Sequence, residues 1–245
     1  MKKINVDTII ALFIAIFCFA CNVKAQNSVN TNQGLSQKEQ SIVSIAALTA
    51  KGDLPKLKTA LNTGLETGLT VNEIKEVLVH LYAYCGFPRS IRGLQTLMNV
   101  LDERKAKGIN ETTGNSASRI DEKGSKYERG KKILGELTKT PQPDTLTGYS
   151  AFAPVIDTFL KEHLFADIFE RDILTYSERE LVTVSVLGTI GRVEPMLSSH
   201  LNICLNVGLT PEQLQQFVDI IRSSIGKKEA KATRSVLNEV LKNRK

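Results

Sequence analysis

The sequence predicts an all-α protein built from two copies of one helical unit, and three observations carry that expectation. Apolar residues recur at i, i+3 and i+4 steps, and no alternating strand pattern of useful length is present. Boxes of the form S/T-x-x-E/Q stand before apolar runs: Ser36 with Glu39, Thr70 with Glu73, Ser177 with Glu180, and Thr210 with Gln213. The order also repeats at a spacing of about 140 residues, since LSQKEQSIVSIAALTAKGD aligns with LTYSERELVTVSVLGTIGR and GLTVNEIKEVL with GLTPEQLQQFV. The bulk properties fit a globular chain of 245 residues, with 42% hydrophobic and 24% charged residues. A formal charge of +6, without a basic cluster interleaved with aromatics, argues against nucleic-acid binding.

Taken in order, the chain opens on Lys2 and Lys3, an apolar run from Ile9 to Cys21, and small residues in a V-x-A pattern at Val23-Lys24-Ala25. That combination reads as a signal peptide over residues 1–25, cut after Ala25, giving an exported protein, periplasmic or secreted. A lipoprotein acylated at Cys21 is the alternative reading. The first helical unit occupies residues 35–106. Its helices start at the Ser36 box, near Pro55 and at the Thr70 box, and the last begins at Arg89 after a break at Gly86-Phe87-Pro88. Residues 107–127 are polar, rich in Gly, Asn, Ser and Thr, and read as a linker. The second unit spans residues 128–243. It opens with a helix to Leu137, halts at Pro141 and Pro143, and resumes with an amphipathic stretch from Phe152 to Phe169, in one or two pieces.

The stretch SERELVTVSVLGTIGRVEPMLSSHLNICLNVG then reads as two helices joined at Gly191, with Pro195 at the start of the second. It sets one carboxylate, Glu180, and one imidazole, His200, among apolar residues. His200 shares a face with Met196, Leu197, Ile203, Cys204 and Val207, where a polar side chain must find a partner. With helix ends superposed, the first copy carries Ser41 opposite Glu180 and Ala60 opposite His200. One copy looks chemical and the other structural. The plainer reading keeps Glu180 as a capping carboxylate and His200 as a satisfied core histidine. Other candidates are the two cysteines that remain after the leader, Cys85 and Cys204, as core or redox residues, and Arg89, Arg92 and Arg192 as anchors for a carboxylate. His80 follows Glu76 by four residues and reads as an ordinary helical pair.

These segments resemble the carboxymuconolactone decarboxylase family, which includes the alkylhydroperoxidase D-like proteins. ERELVTVSVLGTIGRVEPMLSSHLNICLNVGLTPEQL and GLTVNEIKEVLVHLYAYCGFPRSIRGL carry the resemblance, and ERGKKILGE is similar to the start of the decarboxylase branch. It implies two tandem helical domains, Glu180 and His200 as the family's glutamate and histidine, and Glu194 as the acidic residue between loop and helix. The cysteines of the alkylhydroperoxidase motif would fall at Val193 and Met196, so a dithiol mechanism of that kind has no chemistry here. The resemblance implies a cofactor-free decarboxylase acting on a small carboxylated lactone or related acid. A peroxiredoxin-like thiol activity and a non-catalytic binding module are the alternatives. It also implies a homo-oligomer, expected as a trimer of the tandem chain, with no membrane or nucleic-acid partner.

Overall fold

The computed structural model describes residues 34–120 and 123–244. The leader expected over residues 1–25, with its Ala25 cut and the Cys21 alternative, lies outside the described residues. Everything from Gly34 onward packs as one unit. The first half contributes α1 (Gln37–Lys51), α2 (Leu54–Glu66), α3 (Val71–His80) and α4 (Tyr82–Ala106). The second half contributes α5 (Lys126–Thr138), two single turns, α6 (Gly148–Phe152) and α7 (Pro154–Thr158), and a π-helix over Phe159–Ile168. It closes with α8 (Tyr176–Ile190), α9 (Glu194–Asn206), α10 (Pro211–Ser224) and α11 (Lys227–Asn243). No strand occurs among the described residues, and no described helix is long and apolar enough to cross a membrane. The fold is all-α, as the periodicity predicts.

Capping boxes open α1, α3 and α10 at Ser36, Thr70 and Thr210, each side chain accepting the N–H three residues on. The box at α8 corrects the sequence reading. Its N-cap is Thr175, which accepts the Glu178 N–H, while a Glu178 carboxylate oxygen accepts the Thr175 N–H at 2.8 Å. Two overlapping boxes two residues apart both satisfy the local rule. The earlier register wins because it seats Leu174 in the core, just as Leu35 precedes the box of α1. Glu180 is thereby freed from capping and turned inward.

The break expected at Gly86 is real. This glycine has φ 81° and ψ 160°, a backbone open only to glycine, although the chain already turns once at Leu81. The stretch from Phe152 to Phe169 is more broken than expected, because Pro154 starts a new turn at Ala153 and the chain then continues as a π-helix.

The two halves share one apolar core. Helix α1 lies along α8, and Ile42, Ile45, Leu57 and Ile74 are buried in the same cluster as Leu181, Val184, Leu201 and Phe217. A second cluster roofs the outer face of α9, where Ile133, Leu137, Leu164, Phe165, Ile168 and Phe169 close over Ile203. Helix α5 approaches the π-helix so closely at Gly130 that a methyl group there would fall 1.8 Å from the Lys161 carbonyl oxygen. The segment between the halves lies along the start of α3. Thr112 and Thr113 carbonyls accept the Val71 and Asn72 N–H groups at 3.0 and 2.9 Å, supplying the partners that the first turn of a helix lacks.

Candidate functional site

Helices α8 and α9 run side by side and bring Glu180 to His200. His200 Nδ1 lies 2.8 Å from Glu180 Oε2; the carboxylate is fully buried and the imidazole keeps 13% of its side-chain surface open. Glu180 is an acceptor at that oxygen, so the bond fixes His200 with its Nδ1 proton toward the glutamate. Nε2 forms no hydrogen bond with the described residues and is the free end of the pair. The arrangement is a buried carboxylate orienting an imidazole whose outer nitrogen can carry a proton to or from a bound molecule.

The first half completes the surroundings. The Tyr84 ring packs edge-on against His200 with centroids 5.7 Å apart, and stacks on His80 at 5.6 Å. Burial first, and then the nearby Glu180 carboxylate, keep the Tyr84 hydroxyl protonated far beyond neutral pH. Behind it, His80 Nε2 meets Thr183 Oγ1 at 2.9 Å. Thr183 donates its own proton to the Arg179 carbonyl at 3.0 Å, so His80 Nε2 donates here; the Arg179 guanidinium donates to His80 Nδ1 at 3.3 Å, which leaves the ring neutral. Burial, then the Arg179 and His200 charges, hold the His80 pKa well below the usual histidine range. Three buried atoms in this region have no hydrogen-bond partner among the described residues: Tyr84 Oη, Arg179 Nε and Glu180 Oε1. The first two can donate and the third accepts, and groups left without partners in a protein interior are costly.

His80 and Glu76 do not pair with each other, contrary to their spacing. Both face the second half. Glu76 takes the Arg179 guanidinium at 2.8 Å and that of Arg171 at 2.9 Å. Burial pushes the Glu76 carboxyl up, but these two arginines outweigh it and hold it below the ordinary carboxylate value. This ionic cluster braces α3 against α8 one turn from the His200 site.

The sequence model described as "Carboxymuconolactone decarboxylase family" matches residues 21–97 and 154–239, more than half of the chain. The chain belongs to that family, with two tandem matches. It is similar to a 4-carboxymuconolactone decarboxylase of Acinetobacter baylyi, at 25% identity over 119 residues, covering 48% of this chain and 88% of the relative. It is also similar to an uncharacterised protein of Methanocaldococcus jannaschii, at 28% identity over 79 residues, 32% of this chain and 74% of the relative.

Not every residue that the carboxymuconolactone decarboxylase resemblance singled out comes to the site. Glu194 is exposed in the first turn of α9, without a hydrogen bond or ion pair among the described residues. Six residues of helix put its backbone about 9 Å along the axis from His200. Arg192 is exposed on the α8–α9 connection with φ 59°. Arg92 bonds Gln95 on the surface at 2.7 Å, and the Arg89 guanidinium lies over Gly52 at the end of α1. Cys85 and Cys204 are free thiols. Burial, and then Glu180, push Cys204 well above the ordinary thiol value, and burial raises Cys85 to about 11. Both are poor thiolates. Among the described residues, no group of His, Cys, Asp and Glu side chains is placed to hold a metal.

Tyr84, His80 and Thr183 were missed by sequence reasoning. The repeat held a signal for the first two. Continued from GLTVNEIKEVL and GLTPEQLQQFV, the alignment pairs His80 with Ile220 and Tyr84 with Ser224, so these change together with Glu180 and His200.

Proposed function

We propose that this chain is a cofactor-free carboxy-lyase of the carboxymuconolactone decarboxylase family, acting on a small carboxylated lactone or a related acid. The observation that carries the reading is the Glu180–His200 pair, a buried carboxylate bonded to an imidazole with its outer nitrogen free. In such a reaction the bond from the substrate carbon to its carboxylate breaks and carbon dioxide leaves. The electron pair stays on that carbon, shared with an adjacent carbonyl as an enolate. His200 Nε2 then delivers a proton to the carbon and recovers it from solvent, while Glu180 balances the imidazolium. The Tyr84 ring against His200 and the full burial of Glu180 limit water around the pair.

The thiol-peroxidase alternative needs a thiolate, and both cysteines are held in the protonated form. In this reading the mature protein is exported, works as a homotrimer and needs no cofactor. The test is carbon dioxide release from a panel of small carboxylated lactones and keto acids, wild type against His200→Gln. Release that requires His200 supports the reading. An inert wild type, or equal release by both proteins, sinks it.

A further inference from the structure

The duplication leaves a cleft at the first-half counterpart of the Glu180–His200 position. It has a volume of about 600 Å3 and lies between α1, α2 and the end of α10. Ser41, Ala60, Ile220 and Ser224 all line it. In the repeat these are the counterparts of Glu180, His200, His80 and Tyr84. The cleft is therefore the internal twin of the proposed active site, with the whole chemical set replaced.

Its walls have changed in the same sense. In the second half, Tyr176, Ile203 and Val207 meet the apolar roof formed by α5 and the π-helix. Their counterparts are Gln37, Thr63 and Thr67, all at the surface of the cleft. What remains is an apolar floor of Leu48, Ala60 and Ile220 beneath a rim of hydroxyls and amides.

The hydrogen bonds show what this rim can offer. Thr67 donates to the Gly64 carbonyl at 3.0 Å, so the Ser41 hydroxyl, 3.1 Å away, must donate to Thr67. Ser44 donates to the Gln40 carbonyl and Ser223 to the Ile220 carbonyl, both at 3.0 Å. The Gln40 amide nitrogen donates to the Leu35 carbonyl at 2.7 Å. These protons are committed inside the protein and leave lone pairs at the cleft, while the side chains of Gln37, Thr59, Thr63 and Ser224 keep donors uncommitted there. A carboxylate, which only accepts, would leave those lone pairs unmatched. A cation finds no lining carboxylate, and meets Lys56, itself 3.5 Å from Asp53. The ligand that fits both donates and accepts and carries no charge, with C–H faces for the floor.

We propose that the first-half cleft binds a neutral polyhydroxylated small molecule of the size of a monosaccharide or cyclitol. The inference stands apart from the chemistry proposed at His200, since it uses none of the same residues. Titration of the full mature chain with D-glucose and myo-inositol, followed by protein NMR, tests it. Saturable millimolar binding of at least one polyol is expected, with shifts confined to α1, α2 and the end of α10, and none from lactate at the same concentration. Ala60→Phe fills the cleft and should abolish the shifts. Thr63→Val keeps the side chain's shape while removing a hydroxyl, and should weaken binding about tenfold. Activity at His200 should be the same in both variants. No saturable binding of either polyol, binding of lactate in preference to them, or full polyol affinity in Thr63→Val would each overturn the proposal. Because Thr63→Val is nearly isosteric, its result stands even if Ala60→Phe does not fold.

Discussion

At the scale of single residues, Glu180 has two oxygens and one partner among the described residues. His200 takes Oε2, while Oε1 and the neighbouring Tyr84 hydroxyl are buried without a hydrogen bond to those residues. This makes stability and activity separable. His200→Gln retains an N–H able to reach Glu180, so the thermal midpoint should stay near that of wild type. Turnover should fall about 10²- to 10⁴-fold, the usual worth of a positioned proton carrier. A large drop in the midpoint with turnover retained would instead mark a core histidine. Tyr84→Phe deletes an unsatisfied hydroxyl without changing the ring, so its thermal midpoint should be unchanged or higher. A midpoint lowered by several degrees would show that the hydroxyl has a partner in solution. Cys204, fully buried beside Glu180, should resist disulfide reagents until the protein unfolds, and rapid titration of the native thiol would contradict its burial.

At the scale of elements, the brace between α3 and α8 decides the acid sensitivity. Glu76 is buried against Arg171 and Arg179, so Glu76→Ala strands a buried guanidinium and should cost about 3–5 kcal/mol in chemical denaturation. His80 is neutral when folded and takes a proton more readily when unfolded, so stability falls as pH drops below its ordinary value of 6.5. Glu76 is held charged when folded, so its share is intact above 4.5 and is lost as pH falls further. Each group contributes a slope of up to about 1.4 kcal/mol per pH unit within its window. Denaturation midpoints from pH 8 to 3 should therefore show two successive losses, and His80→Gln should flatten the first. A flat profile between pH 7 and 5 in wild type would show that His80 is not buried neutral.

Much of this architecture was legible in the sequence because it is encoded locally. Capping boxes, the Gly86 break and the Pro195 start are read from a few neighbouring residues, and the structure has the break, the proline in the first turn and the boxes at Ser36, Thr70 and Thr210. Where two local signals overlapped, at Thr175 and Ser177, only the burial of Leu174 chose between them. Glu76 and His80 were misread because i, i+4 spacing says which residues share a face, not what that face meets. Tyr84 reaches His200 across the halves, a relation that no spacing along the chain contains.

At the scale of the whole molecule, the proposed trimer has a surface ready for it. Phe152 is 93% exposed, and Val155, Ile156 and Phe159 beside it in sequence are also open. Such a run on a globular protein marks a contact surface. Light scattering on the mature protein should give three chains, and Phe152→Asp with Phe159→Asp should lower that number without unfolding the protein. A wild-type monomer at micromolar concentration would exclude the trimer.

The duplication invites the view that each half folds alone, and the packing argues otherwise. Helix α1 buries Ile42, Val43, Ile45 and Ala46 in the cluster that also holds Leu181, Val182 and Val184 of α8. Cutting the chain between the halves would open that shared core along its length and leave Glu76 without either arginine. The site is divided too, since Tyr84 and His80 come from one half and Glu180 and His200 from the other. The intact chain should therefore melt in a single transition, with calorimetric and van't Hoff enthalpies equal. Residues 34–125 expressed alone should keep helical signal by circular dichroism but lack a cooperative melt. Mixing them with residues 126–245 should restore the melt, and with it the activity that depends on His200. Two separate transitions in the intact chain, or a cooperative fold in the first half by itself, would show that the shared core is dispensable.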